Sequence, residues 1–281
     1  MAMTFSLHES IQPNSAFDYP EVVSSYGNEE PVKDEFHILR EKLEMPESNG
    51  VIARPRIDKI LTSSLTQFPA TLVCGRAGTG KTAIAASFAE AQKNVFWYSV
   101  ESTDVEWPVF SRYFSAALSG KIFGEHQEID LHAGDEIIAQ REVARFLVNR
   151  FSNAYATPSS GHSLIVLDDI HHLFDATWFD DFFNLLLYSL PPDVHLLLTC
   201  RSKPPGPLWR LRSKQMLNVL DEKVIAFNAE ETEQLYKKLG LNGSSAKEAH
   251  KHCFGRISKL LGYAGDQSTI LPHSPSIHAG R

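Results

Sequence analysis

Along the middle of the chain, short apolar runs take turns with longer amphipathic segments. Five runs are almost wholly apolar: "ATLVC" (70–74), "VFWYSV" (95–100), "SLIVLD" (163–168), "VHLLLTC" (194–200) and "KVIAF" (223–227). Each reads as a strand covered on both faces, since a strand with one wet face would alternate apolar with polar. Helical spacing fills the gaps at 81–91, 107–119, 135–152 and 178–189. The last of these, "WFDDFFNLLLYSL", turns its apolar residues to one side and sets Asp180 and Asp181 on the other. Alternating β and α with buried strands predicts an α/β fold, a parallel five-stranded sheet between helices. After Phe227 the pattern is purely helical ("AEETEQLYKKLG", then "SAKEAHKHCFGRISKLLGYA"), which predicts a small α-helical subdomain.

The flanks lack this rhythm. Residues 1–50 are polar and acidic, punctuated by "QPNSAFDYP" and "MPESNG", and only "KDEFHILREKL" places Phe36, Leu39 and Leu43 at helical spacing for one short helix. They read as a flexible arm lying on the main domain. The end, "GDQSTILPHSPSIHAGR", reads as a disordered tail. The expected division is therefore arm 1–50, sheet domain 51–228, an incomplete helical subdomain 229–264 and tail 265–281.

Charge and cysteine content narrow the function classes. The net charge of −7 is that of the arm, which has ten acids against three bases; the rest of the 281 residues balances at 24 of each sign. No basic face follows from that count, so nucleic-acid binding by this chain is not expected. The three cysteines, Cys74, Cys200 and Cys253, are too few and scattered for a disulfide framework or a zinc site and suit a reducing compartment. Cys74 and Cys200 sit in apolar runs and read as small buried residues. "MAMTFSLHES" has no basic start followed by a long apolar core, and no apolar run reaches the roughly 20 residues of a membrane helix. A cytoplasmic protein without a membrane partner is the expectation.

The chemistry sits at the ends of the apolar runs. "GRAGTGKT", Gly75 to Thr82, follows "ATLVC" and precedes the helical "TAIAASFAEA". It fits G-x-x-x-x-G-K-[ST], a loop whose glycines let backbone N–H groups turn toward phosphate oxygens, with a helix N-terminus aimed at the same anion. Gly75, Arg76, Ala77, Gly78, Thr79, Gly80, Lys81, Thr82 and Ala83 are the candidate phosphate-binding set. Lys81 would reach the outer phosphates and Thr82 would ligate Mg²⁺. "SLIVLDD" supplies acids on a neighbouring strand: Asp168 to hold Mg²⁺, and Asp169 to orient or deprotonate an attacking water. Arg201, ending "VHLLLTC", faces the γ-phosphate position as a sensor; its plainer role is pairing with Asp168 or Asp169. Arg54 and Pro55 in "ARPRIDKIL" could lie against the base. No Asn-Lys-x-Asp guanine reader follows the fourth run, which favours adenine, so ATP or ADP. His171 and His172 are adjacent and expected to point apart, without a metal role.

Taken together, "RPRIDKIL", "GRAGTGKT", "VFWYSVESTDVEWPVFSRYFSAAL", "LIVLDDIHHL", "LLLTCRSKPPGPLWRLRSKQML" and "VIAFNAEETEQL" resemble one family. It is the STAND group of signal-transducing P-loop ATPases, and within it the ATPase domain of the MalT-type (large LuxR-family) bacterial transcriptional regulators, over roughly residues 51–262. The resemblance implies an ASCE-type sheet and a helical subdomain closing over the nucleotide. It also implies an ADP resting form and an ATP form that associates with itself or with partners. Carried over by position, Gly75 to Thr82 bind phosphates, Asp168 the Mg²⁺ and Asp169 the catalytic water, while Arg201 senses the γ-phosphate. Departures are Gly255-Arg256 in place of the family's usual Gly-Trp, and no segment that reads as its winged helix, repeat-built sensor or DNA-binding helix-turn-helix. A nucleotide switch with slow ATP hydrolysis is the leading expectation. A small-molecule phosphotransferase and a binding-only, degenerate ATPase are the alternatives.

Overall fold

The computed structural model describes residues 37–48, 52–119 and 162–270, Ser119 and the last five by backbone alone. From Ile38 onward they belong to one compact unit. Five strands, β1 (Ala70–Cys74), β2 (Asn94–Ser99), β3 (Ser163–Asp168), β4 (Val194–Cys200) and β5 (Leu217–Leu220), make a sheet in the order β2-β3-β4-β1-β5. Every pairing is parallel. β1, β3 and β4 are buried at every position, which is why they read as unbroken apolar runs.

The fifth strand is not where the apolar pattern places it. "KVIAF" enters a one-turn helix, α6 (Glu222–Ile225), because the Asp221 carboxylate caps it by accepting from the Lys223 and Val224 N–H groups. β5 is the preceding "LNVL", an edge strand buried only at its two ends, so Asn218 breaks the apolar run that would have marked it.

Helices cover both faces. α1 (Pro55–Gln67) and α2 (Lys81–Glu90) pack Ile57, Leu61, Ile84 and Phe88 with Val73, Trp97, Val166 and Leu197 of the sheet. Alternation along β2 sends Tyr98 to the opposite face. There it meets α3 (Trp107–Ser119), with the Phe110 ring centroid at 5.8 Å. Phe110 in turn lies 4.6 Å from Trp178, just ahead of α4 (Phe179–Ser189), so this second layer is chiefly aromatic. The helix expected over 135–152 lies outside the described residues.

After α5 (Gly206–Ser213), β5 and α6, the chain makes α7 (Ala229–Lys238), α8 (Gly243–Cys253) and α9 (Ile257–Ile270). These bury their own core of Leu235, Tyr236, Ala246, Ala249, Cys253 and Leu260 around Phe227. Asn228 and Glu231 cap α7 reciprocally, so the helix starts at Ala229. α8 ends where Phe254 and Gly255 both take positive φ, 52° and 73°. Gly255 is required there: a Cβ would collide with the Phe227 carbonyl oxygen, and the Phe227 N–H donates to Gly255 O at 2.8 Å. α9 continues to Ile270, so the first residues of the stretch read as an irregular tail are helical. Extending a formed helix adds one bond per residue fixed and needs no new nucleus.

Part of the stretch read as a flexible arm is fastened to the domain. A 3-10 turn (Arg40–Leu43) takes the place of the expected helix, of which Phe36 lies outside the described residues. Its Lys42 is buried, 2.7 Å from the buried Asp104 carboxylate and 2.9 Å from Glu101. Burial works to lower the Lys42 ammonium, and these two acids outweigh it and hold it above its ordinary value.

Candidate nucleotide-binding site

The segment Gly75–Thr82 joins the carboxyl end of β1 to the first residues of α2. Gly75 N–H bonds Cys200 O at 3.1 Å, which ties the loop's entry to β4. Thr79 Oγ1 donates to Arg76 O at 2.8 Å and draws the loop into a tight bend. Gly78 and Gly80 take φ of 75° and 87°, and Gly80 is the residue immediately before α2. Both are left-handed conformations that suit glycine. Lys81 is buried, its Nζ 3.4 Å from Arg76 O. Burial depresses its ammonium below the ordinary value; Asp169 works against that and Arg201 with it.

The acids come from β3, but β3 is not the neighbour of β1: β4 lies between them. The expectation of a neighbouring strand is thus corrected, and β4 supplies the bridge. Thr199 Oγ1 donates to Asp168 at 2.5 Å, and Thr82 Oγ1 reaches the same carboxylate from α2 at 2.9 Å. Burial holds the Asp168 carboxyl above its ordinary range, and the two hydroxyls pull it part of the way back. Thr82 and Asp168 are hard oxygen donors at a helix start and a strand end, a pair that fits Mg²⁺. Asp169 stands in the left-handed region at φ 58°, its N–H on Thr199 Oγ1 at 2.9 Å and its carboxylate 2.6 Å from Arg201. Arg201 thus shows its plainer role here, paired with Asp169. His171 and His172 do not point apart; a 3-10 turn sets their rings side by side, centroids 4.1 Å apart and planes tilted by 34°. Among the described residues no cluster of three or more His, Cys, Asp or Glu could hold a metal on its own.

Two hollows flank the loop. One, about 300 Å³, is chiefly apolar, with Ala83, Ile84, Ile57, Phe227, Ile257 and Leu261 on its wall. Arg54 is on that wall, while Pro55 is the first residue of α1 and is not. The Arg54 guanidinium lies 4.2 Å over the Phe227 ring and 2.9 Å from Glu231, and its Nε is buried without a hydrogen-bond partner among the described residues. Burial alone would raise the Glu231 carboxyl; hydrogen bonds from Arg54, the Asn228 N–H and Arg56 outweigh it and hold it below its ordinary value. The other hollow, about 710 Å³, is charged, with Arg76, Arg201, Lys203 and Glu222 around Cys74 and Trp209. Arg76, read as part of the phosphate-binding set, turns its side chain to Glu222 at 2.7 Å and gives its N–H to the same carboxylate at 3.2 Å.

The helical subdomain lies directly on the loop. Ser258 N–H bonds Gly78 O at 3.1 Å, and the Arg256 guanidinium donates to Ala77 O. A Cβ on Gly78 would stand 2.7 Å from Ser258 Cβ, so the approach is as close as glycine permits.

A family profile for the AAA ATPase domain matches residues 56–199, which run from α1 through the loop and the Asp168 strand to the end of β4. The chain belongs to that family. Its relatives include the HTH-type transcriptional regulator MalT of Vibrio cholerae, 26% identical over 204 residues, covering 72% of this chain and 22% of the regulator. MalT of Yersinia pestis is 26% identical over 203 residues, covering 71% and 22%. The chain therefore spans about a fifth of the length of these regulators. Among solved structures, the Walker-type ATPase of Pyrococcus abyssi superposes with a TM-score of 0.52 at 14% identity, covering 79% of this chain and 69% of that one. A STAND protein with a tetratricopeptide repeat sensor from Pyrococcus horikoshii gives 0.51 at 20% identity, covering 78% and 30%. Both share the P-loop NTPase fold. The ATPase-domain likeness to MalT-type regulators read from the motifs is thus met in whole-sequence comparison.

Several residues of the site escaped the motif reading. Thr199 is the link between Asp168 and Asp169, and its signal was a hydroxyl inside a strand otherwise built to be buried, which must find a partner. Glu231 holds Arg54 in place, and its signal was the capping-box spacing of "NAEE". Glu222 and Ser258 carried none, because each acts through a contact distant in sequence.

Proposed function

We propose that this chain is an ATP-binding signal-transduction module, a switch that rests with ADP, is active with ATP and is reset by slow hydrolysis. It acts through protein partners or by self-association in the ATP state. One observation carries the reading: the helical subdomain holds the phosphate loop by its own backbone, through Ser258 on Gly78 and Arg256 on Ala77. A ligand that reshapes the loop must also change the subdomain's footing, and a switch requires such differential contact. The regulatory names of the MalT relatives favour the same reading.

The geometry supports a role for each residue. The loop N–H groups and Lys81 bind the phosphates, and the apolar hollow takes the adenine, with the buried Arg54 Nε at its wall. Thr82 and Asp168 would hold Mg²⁺, which neutralises phosphate charge when bound. Asp169 orients the attacking water once Arg201 leaves it for the γ-phosphate. The Arg201–Asp169 pair also favours a second reading, a binding-only module in which that carboxylate stays engaged.

Calorimetry and turnover decide between these. Lys81→Ala should lower ADP and ATP affinity at least about a hundredfold, by loss of a charge-assisted contact in a partly desolvated site. Unchanged affinity in that variant would remove the basis of both readings. Asp169→Ala should keep binding and abolish turnover; turnover no greater in the wild type than in Asp169→Ala would leave the binding-only reading.

A further inference from the structure

Cys74 and Cys200 oppose each other at the last register position of the β1–β4 pair, and their sulfurs are 2.9 Å apart. Each is followed by a site residue, Gly75 and Arg201. Both thiols are buried, but Cys74 is on the wall of the charged hollow and Cys200 is not. Directly opposed residues on neighbouring strands lie about 4.8 Å apart, within the roughly 4.4–6.8 Å Cα separation of disulfides. The sulfurs need close by only about 0.9 Å to reach bonding distance. Cys253, in the core of the helical subdomain, is the internal comparison.

We propose that Cys74 and Cys200 are a modification site, forming a reversible disulfide on exposure to a hydroperoxide, and that this cross-link weakens nucleotide binding at the adjoining loop. Cys74 is the attacking sulfur: it is the one at the hollow, and its 2.9 Å contact with Cys200, with Lys81 nearby, outweighs burial and holds its thiol below the ordinary value. Its thiolate takes one peroxide oxygen, the O–O bond breaks, and the other oxygen leaves as an alcohol or water. Cys200 sulfur then attacks the Cys74 sulfenic sulfur, and the S–O bond breaks to release water. Two thiols and one hydroperoxide thus give one disulfide, one alcohol or water, and one water, a two-electron oxidation of the thiols. A dithiol reductant reverses it.

The effect on the loop rests on the nucleotide reading above. Closing the sulfurs draws on the residue that leads into Gly75, where the loop entry is closely packed: a Cβ on Gly75 would be 2.7 Å from Thr79 Oγ1. By reciprocity, a bound nucleotide resists the cross-link as strongly as the cross-link opposes the nucleotide.

The test treats reduced protein with hydrogen peroxide and follows intact mass, free thiols after denaturation, and ADP and ATP affinity. The expected result is loss of two hydrogens and two of the three thiols. Affinity should fall by about tenfold and return with dithiothreitol. Cys200→Ser should instead accumulate a sulfenic acid at Cys74, trapped by a cyclic diketone, and form no intramolecular disulfide. Three surviving thiols, a disulfide that includes Cys253, or a disulfide without change in affinity would each overturn the proposal. If the reduced protein binds neither nucleotide, the nucleotide reading fails and the linkage with it, while the thiol count still decides the cross-link.

Discussion

The two ends of the sheet carry polar networks of similar composition and opposite character. At the amino ends, Asn218 Nδ2 donates to Ser64 Oγ at 3.1 Å, Ser64 Oγ lies 2.5 Å from Thr71 Oγ1, and Thr71 Oγ1 lies 2.9 Å from His195 Nε2. His195 Nδ1 faces Phe68 O at 2.9 Å, and a carbonyl only accepts, so Nδ1 carries the proton and Nε2 accepts from Thr71. Every donor then points the same way along a closed chain that is buried at Ser64, Thr71 and His195. At the carboxyl ends, Thr199, Thr82, Asp168, Asp169 and Arg201 are linked just as continuously, but the chain finishes at an ion pair whose arginine is 50% exposed on the charged hollow. A closed network fixes the fold, whereas an open one can trade a partner for a ligand.

The largest expected effect is acid weakening at the closed end. Burial pushes the His195 imidazole down to about 4 from 6.5, so between those values the unfolded chain takes a proton that the folded one refuses. This contribution is fully present above pH 6.5 and is lost as pH falls through 4, up to about 3 kcal/mol. Asp168, held above the usual carboxylate range, contributes the opposite slope. The measurement is therefore the difference in urea unfolding between wild type and His195→Gln from pH 7 to 4.5. Parallel curves for the two proteins would show that the closed chain does not exclude the proton.

Next comes a matched pair of substitutions. Thr71→Val strands the partners on either side of it and should cost about 2 kcal/mol of stability with nucleotide affinity unchanged. Thr199→Val removes the hydroxyl that holds Asp168 and the Asp169 N–H, with a similar cost of about 2 kcal/mol, and should also weaken Mg²⁺-dependent nucleotide binding. Equal effects of both variants on affinity would erase the distinction between the two ends.

The same contrast governs what the sequence made legible. β1, β3 and β4 are buried along their whole length, so burial wrote itself into the residues and the runs mark their bounds. β5 is an edge strand with Asn218 at a half-buried position, and its run is too mixed to see. The phosphate loop was readable because its chemistry is contiguous in the chain. The Arg54–Glu231 pair, the seating of Ser258 on Gly78 and the Cys74–Cys200 contact join residues 126 to 180 positions apart, and only the fold brings them together. Sequence spacing also misplaced β3 beside β1, because chain order does not reveal that β4 is inserted between them.

The smallest effect is the most discriminating. As a half-exposed ion pair, Arg201–Asp169 adds under about 1 kcal/mol to stability, so Arg201→Ala should unfold almost as the wild type does. Its consequence belongs instead to the open network. If Arg201 exchanges Asp169 for the γ-phosphate, its loss should lower ATP affinity about tenfold, near 1.4 kcal/mol, and leave ADP affinity within about twofold. Turnover should fall as well, because the exchange is what frees Asp169 to orient water. An equal fall in both affinities would mean that Arg201 acts on the site only by holding Asp169 in place. That result would make the carboxyl-end network as closed as the one around His195, and the proposed switch would then have to rest on the contacts of Ser258 and Arg256 with the loop alone.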